Sequence, residues 1–277
     1  MSTAFVPADF AAGHGPRYTL SDTRVMIARG LRRSVRDPEA FITALALPVM
    51  LMLLFVYVFG GAFNAGVRAA GGYANYVVPG LIVLCAGFGA GTTAVAVATD
   101  MSSGIVDRFR SMPMASASVL AGHIVASLLR NLLATALVIA VGLAVGWRPV
   151  ADPLGWAGAL AMIVTFILAM SWLAACFGLV VGSPEAANGA TFALMFVPYL
   201  STAFVPAGTM AAGLRPIAAN QPFTPVIETM RGLWMGHTST GVAVGHEAGL
   251  AAIYCAAILI VAASVASWLF RHRTAGR

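Results

Sequence analysis

Six long apolar runs decide what this chain can become. A helix that crosses a bilayer needs about 20 mostly apolar residues, and six stretches meet that length: Phe41–Gly60, Tyr76–Thr99, Val119–Gly146, Trp156–Gly182, Ala187–Ala207 and Gly249–Phe270. The runs are long and lack period-2 alternation, which predicts helices rather than barrel strands. Charge is too scarce to hide them. Only 9 % of the 277 residues are charged and 60 % are apolar, against roughly 25 % charged in an ordinary soluble domain. A soluble globule, a disordered chain and a disulfide-stapled secreted module are excluded. An all-α integral membrane protein remains. Its polar first 40 residues argue against a signal peptide at the start.

The cations give the orientation. All sixteen are Arg. Arg17, Arg24, Arg29, Arg32, Arg33 and Arg36 precede the first run, Arg108 and Arg110 follow the second, and Arg271, Arg273 and Arg277 follow the last. The alternate loops hold only Arg68, Arg148, Arg215 and Arg231. The positive-inside rule therefore places both termini in the cytoplasm. Arg130, early in an over-long third run, is expected to snorkel to the inner interface. With no Lys the chain cannot carry a P-loop, Schiff-base or kinase-type lysine. Any ATP it uses is expected on another chain.

Three segments outside the runs carry pattern. Residues 1–17 read as a tail, and residues 18–37 as an amphipathic cytoplasmic interface helix. There Leu20, Ile27, Leu31 and Val35 share an arc of about 80°, while Arg29, Arg32, Arg33 and Arg36 lie opposite. Such a helix either anchors to headgroups or transmits force to the span it precedes. Asp37-Pro38 ends it and caps the first span. In the loop Asp100–Ala115, Ile105, Phe109 and Met112 share one face of a short helix over about 102–113, stopped by Pro113. An exposed Ile/Phe/Met face with Arg108 and Arg110 beside it suits docking into a groove of a soluble subunit. The segment 206–245 is expected on the outer side. Thr224-Pro225 predicts a helix start, with Thr224 as cap, Glu228 in the first turn and Arg231 at i+3. A second short helix within Met210–Ile217 would complete an outer re-entrant pair, tolerated at membrane depth only when packed in protein.

Other chemistry is missing from the sequence. The five His never fall at HxxxH or HxH spacing, and no GxSxG elbow occurs. Cys85, Cys176 and Cys255 are far apart and read as apolar core. Gly87-Phe88-Gly89-Ala90-Gly91 lies inside a run with no strand before it, so close helix packing explains it better than a dinucleotide loop. No acid lies at mid-span, which disfavours proton coupling.

Two stretches resemble a known family. Gly104–Met114, GIVDRFRSMPM, is similar to the coupling-helix stretch of type-2 ABC exporter permeases of the daunorubicin-resistance-like subfamily. Pro222–Gly236, PFTPVIETMRGLWMG, resembles that family's outer re-entrant helices. Arg130-Asn131-Leu132-Leu133 and the turn Gly146-Trp147-Arg148-Pro149 also fit, and the likeness runs over about Val25–Phe270. Ser102 and Ser103 stand where the coupling stretch often has Glu, and Ser127 where the third span often has Asp.

The resemblance implies a six-span domain over 38–270, with a cytoplasmic tail at 271–277, in a bacterial plasma membrane. It implies a second permease chain, identical or a sister, and two copies of an ABC ATP-binding subunit that hold ATP and Mg. This chain would bind no cofactor and no metal, would not be an enzyme, and would not bind nucleic acid. Membrane lipids and a hydrophobic substrate would be its other partners. ATPase coupling falls on Ile105, Val106, Arg108, Phe109, Arg110, Met112 and Pro113, with Arg29, Arg32, Arg33 and Arg36 second. Phe55, Phe59, Phe88, Met195, Phe196 and Tyr199 would line the transport path. Phe204, Thr224 and Glu228 would form the outer gate. The cargo implied is a drug, secondary metabolite or lipid. A glycoconjugate or polysaccharide exporter, a non-transporting scaffold or immunity protein, and a membrane-embedded enzyme are the alternatives.

Overall fold

The computed structural model describes residues 38–64, 72–103, 116–181, 183–194 and 196–275. The interface-helix arginines, the coupling-helix residues Ile105–Pro113 and Met195 lie outside the described residues. Among the described residues the secondary structure is entirely helical. The first run forms α1 (Pro38–Leu53), a π-helical turn over Leu54–Val58 and a short α2 (Gly60–Asn64). The wider turn shows in the Phe59 amide, which donates to the Leu54 carbonyl five residues back at 3.1 Å. Four longer helices follow: α3 (Tyr73–Ser102), α4 (Ser116–Ala144), α5 (Pro153–Val181) and, after an interruption, a final helix over Val244–Ala275. These four are long and apolar enough to cross a membrane.

The fifth run departs from expectation. A single helix over Ala187–Ala207 is predicted; the structure has α6 (Pro184–Leu194), a 3₁₀ turn at Val197–Leu200 and irregular chain to Pro206. Apolar length alone does not make a helix when Pro198 lacks an N–H for the ladder. Between this run and the last helix lie α7 (Arg215–Asn220) and α8 (Phe223–Met235); the last helix is α9.

α3 is the centre of the bundle. It touches α1, α4, α5, α6 and α8, and α5 in turn packs on α9. Small residues permit this closeness. A side chain at Gly178 would overlap the Ala94 backbone, one at Gly89 the Asn131 amide, and one at Gly91 the Thr191 methyl. Gly89 and Gly91 are thus helix-packing positions. Hydroxyls and amides join the same helices: Thr93 Oγ1 donates to Ser127 Oγ at 2.7 Å, Ser127 pairs with Ser171 at 2.9 Å, and Asn131 Nδ2 donates to Ser127 at 3.2 Å. Arg130 does not simply snorkel: half-buried, it donates to Thr92 Oγ1 on α3.

α8 lies alongside α3 and α5 rather than beyond them. At its first residue the Phe223 ring meets the Phe166 ring edge-on at 5.5 Å, and Gly87, midway along α3, is beside it. At its far end the Trp234 carbonyl accepts the Val150 amide at 2.8 Å, in the turn between α4 and α5. Three indoles, Trp147, Trp156 and Trp234, gather there, with centroids 5.0–6.2 Å apart. Gly236 ends the helix in the left-handed conformation, at φ 76°.

Candidate functional site

Two features converge beside α3: a connected series of aromatic rings, and a buried ion pair at one end of it. The rings come from segments distant in sequence. Phe55 sits in the π-helical turn and meets Phe59 at 5.6 Å and Phe204 at 4.5 Å. Phe204 stacks on Tyr199 at 5.5 Å with planes 9° apart. Tyr199 meets Phe88 of α3 at 6.2 Å and Phe196 at 6.1 Å. All are spacings at which ring pairs attract. Five of the six residues expected along a path, Phe55, Phe59, Phe88, Phe196 and Tyr199, therefore join one array, and the expected gate residue Phe204 lies in its middle. Phe59 is 39 % and Phe196 56 % exposed, so the array reaches the bundle surface.

From Phe55 and Phe59 the array continues through Phe63 to Tyr73, at 5.3 Å, and on to Tyr76. There it meets Arg231, whose guanidinium carbon lies 3.9 Å from the Tyr76 ring centroid. Arg231 and Glu228 are both fully buried on α8 and pair with each other. A buried charge is tolerated only with every partner in place. Arg231 meets that demand by donating to the Tyr76 carbonyl from Nε at 3.3 Å and Nη2 at 3.0 Å, to the Thr202 carbonyl at 3.1 Å and to Ser239 Oγ at 3.2 Å. Glu228 accepts from Thr202 Oγ1 at 2.7 Å, the Ser239 amide at 2.7 Å and Ser239 Oγ at 2.6 Å. The Arg231 guanidinium and the donors from Thr202 and Ser239 compensate the buried Glu228 carboxylate. Tyr76 Oη and Tyr73 Oη donate to the Thr202 and Phe204 carbonyls at 2.9 and 3.0 Å.

The pair thus ties together four segments: α3, the chain after the 3₁₀ turn, α8 and the loop before α9. Disturbing any one of them disturbs the others. Sequence reasoning found Glu228 and its i+3 partner Arg231 but not Tyr76, Thr202 or Ser239, which approach from elsewhere in the chain. Two local expectations are corrected. α8 begins at Phe223 with no side-chain cap, so Thr224 is inside the helix and its hydroxyl donates to the Ala218 carbonyl at 2.6 Å. Glu228 lies in the second turn, where side-chain and loop donors, rather than the helix terminus, stabilise it. At the opposite end of α3, Asp100 is 3.1 Å from His123 Nε2 of α4. Among the described residues no three His, Cys, Asp or Glu side chains gather as a metal site.

The family model for ABC-2 type transporters matches residues 21–235, most of the chain. The chain is also similar to the daunorubicin resistance ABC transporter permease protein DrrB1 of Streptomyces coeruleorubidus, with 27 % identity over 257 residues, covering 92 % of this chain and 88 % of that protein. A probable doxorubicin resistance ABC transporter permease protein, DrrC of Mycobacterium tuberculosis, is 25 % identical over 223 residues, 79 % of each chain. The chain belongs to the ABC-2 type transporter family and is the multi-pass membrane permease of an ABC exporter.

Proposed function

We propose that this permease moves a hydrophobic or amphipathic compound, such as a drug, secondary metabolite or lipid, out of the cytoplasm or inner leaflet along the aromatic array. The single observation that carries the reading is the array itself. Rings from α1–α2, α3 and the broken fifth run join through Phe55, Phe204, Tyr199 and Phe88 and reach the surface at Phe59 and Phe196. Such a surface offers apolar and stacking contacts and no fixed charge, so it favours an apolar cargo. The drug-resistance names of the two relatives agree with that class.

The remaining parts follow the family's plan. Two permeases, identical or a sister pair, face each other across the path, and two ATP-binding subunits hold ATP and Mg. Both termini are cytoplasmic. Ile105, Val106, Arg108, Phe109, Arg110, Met112 and Pro113 dock on the ATPase, seconded by Arg29, Arg32, Arg33 and Arg36. α7 and α8 form the outer re-entrant pair; the contact of Phe223 with mid-α3 supports a dip toward mid-membrane. Phe204 and the Glu228–Arg231 network form the outer gate. Opening it requires a second arrangement of those four tied segments, which ATP-driven closure of the ATPases selects.

The test is transport of Hoechst 33342 by the purified permease with its ATP-binding subunit in proteoliposomes. Phe55→Ala and Tyr199→Ala should each reduce ATP-dependent dye movement while the subunits still co-purify. Wild-type transport by both variants would remove the array from the path. Transport that persists without ATP hydrolysis would overturn ATP-driven export.

A further inference from the structure

α3 and α4 form one antiparallel pair whose contacts keep the same order from end to end. At one end the Arg148 amide, just past α4, donates to Asn75 Oδ1 at 3.0 Å. Further along, a side chain at Gly142 would meet Val78 at 2.8 Å, and one at Gly89 would overlap Asn131. Arg130 then donates to Thr92, and Thr93 to Ser127. At the other end His123 Nε2 lies 3.1 Å from Asp100 Oδ2. Partners descend from 148 to 123 as they ascend along α3 from 75 to 100. The register does not slip over roughly 35 Å of helix.

The last of these ties differs in kind from the rest. Asp100 is 3 % exposed and stands two residues before the end of α3, and His123 lies two turns into α4. An ionised carboxylate only accepts, so the His123 ring nitrogen carries the proton between them. Beside the pair, Val97 of α3 and Leu120 and Ile124 of α4 pack with Leu179 of α5 and Phe270 of α9 in an apolar cluster of their own. A charge in such surroundings costs desolvation, and apolar side chains of similar size would join the helices at least as well. What the pair adds is direction. It resists sliding of one helix along the other, which apolar surfaces permit.

At their far ends both helices hold α8. Arg231 of α8 donates to the Tyr76 carbonyl of α3 at 3.0 Å, and the Val150 amide, in the turn after α4, donates to the Trp234 carbonyl at 2.8 Å. At the Asp100–His123 end both helices lead into residues 103–115, the stretch that carries the expected ATPase contacts. A push on that stretch reaches α8 only if the two helices move together. Were one to slide past the other, the Tyr76 and Val150 contacts would be drawn by different amounts and the push would be lost as shear. The close approaches at Gly89 and Gly142 keep the helices side by side. The Asp100–His123 pair resists sliding where the push arrives.

We propose that Asp100 and His123 are positioning residues for coupling: they clamp the ends of α3 and α4 so that a displacement of the connecting chain carries both helices, and α8 with them, as one body. The inference deepens the proposed function and rests on its ATPase-docking and gate readings.

The test reads the Ser239 amide, which donates to Glu228 Oε2 at 2.7 Å, by hydrogen exchange in nanodiscs that hold the permease with its ATP-binding subunit. In the wild-type complex ATP should accelerate that exchange. His123→Ala should lose the acceleration, while exchange without nucleotide and co-purification stay as in the wild type. A merely structural role at the far end of α3 would not remove the response and spare the resting rate. His123→Gln, which keeps an N–H donor toward Asp100, should retain the response. A cysteine pair, Asp100→Cys with His123→Cys, is made in a Cys176→Ala background, since Cys85 and Cys255 are buried. It should lose the response, regain it when bridged by a short bis-methanethiosulfonate and lose it again on reduction, and it decides the matter if His123→Ala does not fold. A wild-type response in His123→Ala, a loss in His123→Gln equal to that in His123→Ala, or a bridged pair that stays silent would each overturn the proposal. Phe109→Ala scores the docking reading separately. A response lost in Phe109→Ala but kept in His123→Ala leaves docking standing and removes the clamp; the reverse removes docking and leaves the clamp. No response in the wild type would overturn the gate reading and the clamp together.

Discussion

Replacing Glu228 by Gln isolates the ion pair with almost no change in volume. Glu228 accepts hydrogen bonds from Thr202, Arg231 and both polar groups of Ser239. A Gln keeps one acceptor oxygen and sets an amide donor against donors at the other position. Arg231, fully buried, then keeps its charge without a counter-ion. Removing one member of a buried pair costs about 3–5 kcal/mol. The loss should concentrate where the network is anchored, at the loop holding Ser239. Hydrogen exchange of the Ser239 amide in nanodiscs reads it directly, because that N–H donates to Glu228 Oε2 at 2.7 Å. The estimate corresponds to exchange faster by roughly 10²–10⁴-fold. Arg231→Met in the Glu228→Gln background removes the stranded charge and should recover part of the loss. Wild-type exchange at Ser239 in Glu228→Gln would refute the reasoning. So would a double variant equal to the sum of the two singles, since additivity would deny that the charges depend on each other.

Four other outcomes follow from the same analysis. Phe109→Ala should leave the permease folded but abolish export-linked ATP hydrolysis; unchanged hydrolysis and ATPase binding would count against the docking face at 105, 109 and 112. A cysteine at exposed position 212, as Ala212→Cys, should react with an impermeant maleimide from outside the cell, and reaction only from the cytoplasm would reverse the topology. Gly89→Ala should destabilise the bundle by about 1–3 kcal/mol through overpacking against Asn131, whereas Gly87→Ala should be tolerated within about 0.5 kcal/mol; detergent-melting midpoints compare the two. Glu228→Gln should impair dye export more than co-purification with the ATPase, and full export would reduce the pair to a structural tie.

What could be read in advance depended on how local the signal was. Span length and the breadth of the apolar runs made α3, α4, α5 and α9 visible, because a bilayer-length helix is encoded in consecutive residues. The i, i+3 spacing of Glu228 and Arg231 was equally local, and so was the packing role of Gly89. The fifth run misled because hydropathy is blind to Pro198 and to the third dimension: its residues are apolar since they meet the ring array, not because they form one helix. Thr202 and Ser239 were invisible for the same reason. Each sits in irregular chain, and only the fold sets it against Glu228.

The three indoles at the far end of α8 give the molecule an optical reporter of its own. Trp147, Trp156 and Trp234 are three of only five tryptophans in the chain, and they stand within a few ångströms of one another beside the helix that carries the ion pair. Trp147 and Trp234 are fully buried, and neither indole N–H has a hydrogen-bond partner among the described residues. Their emission should be blue-shifted and mutually coupled while α8 is seated. Movement of α8 away from the turn at Val150 would admit water and shift the spectrum to the red. Steady-state fluorescence of the unlabelled permease, followed as nucleotide is added, would then record the motion of this helix in real time.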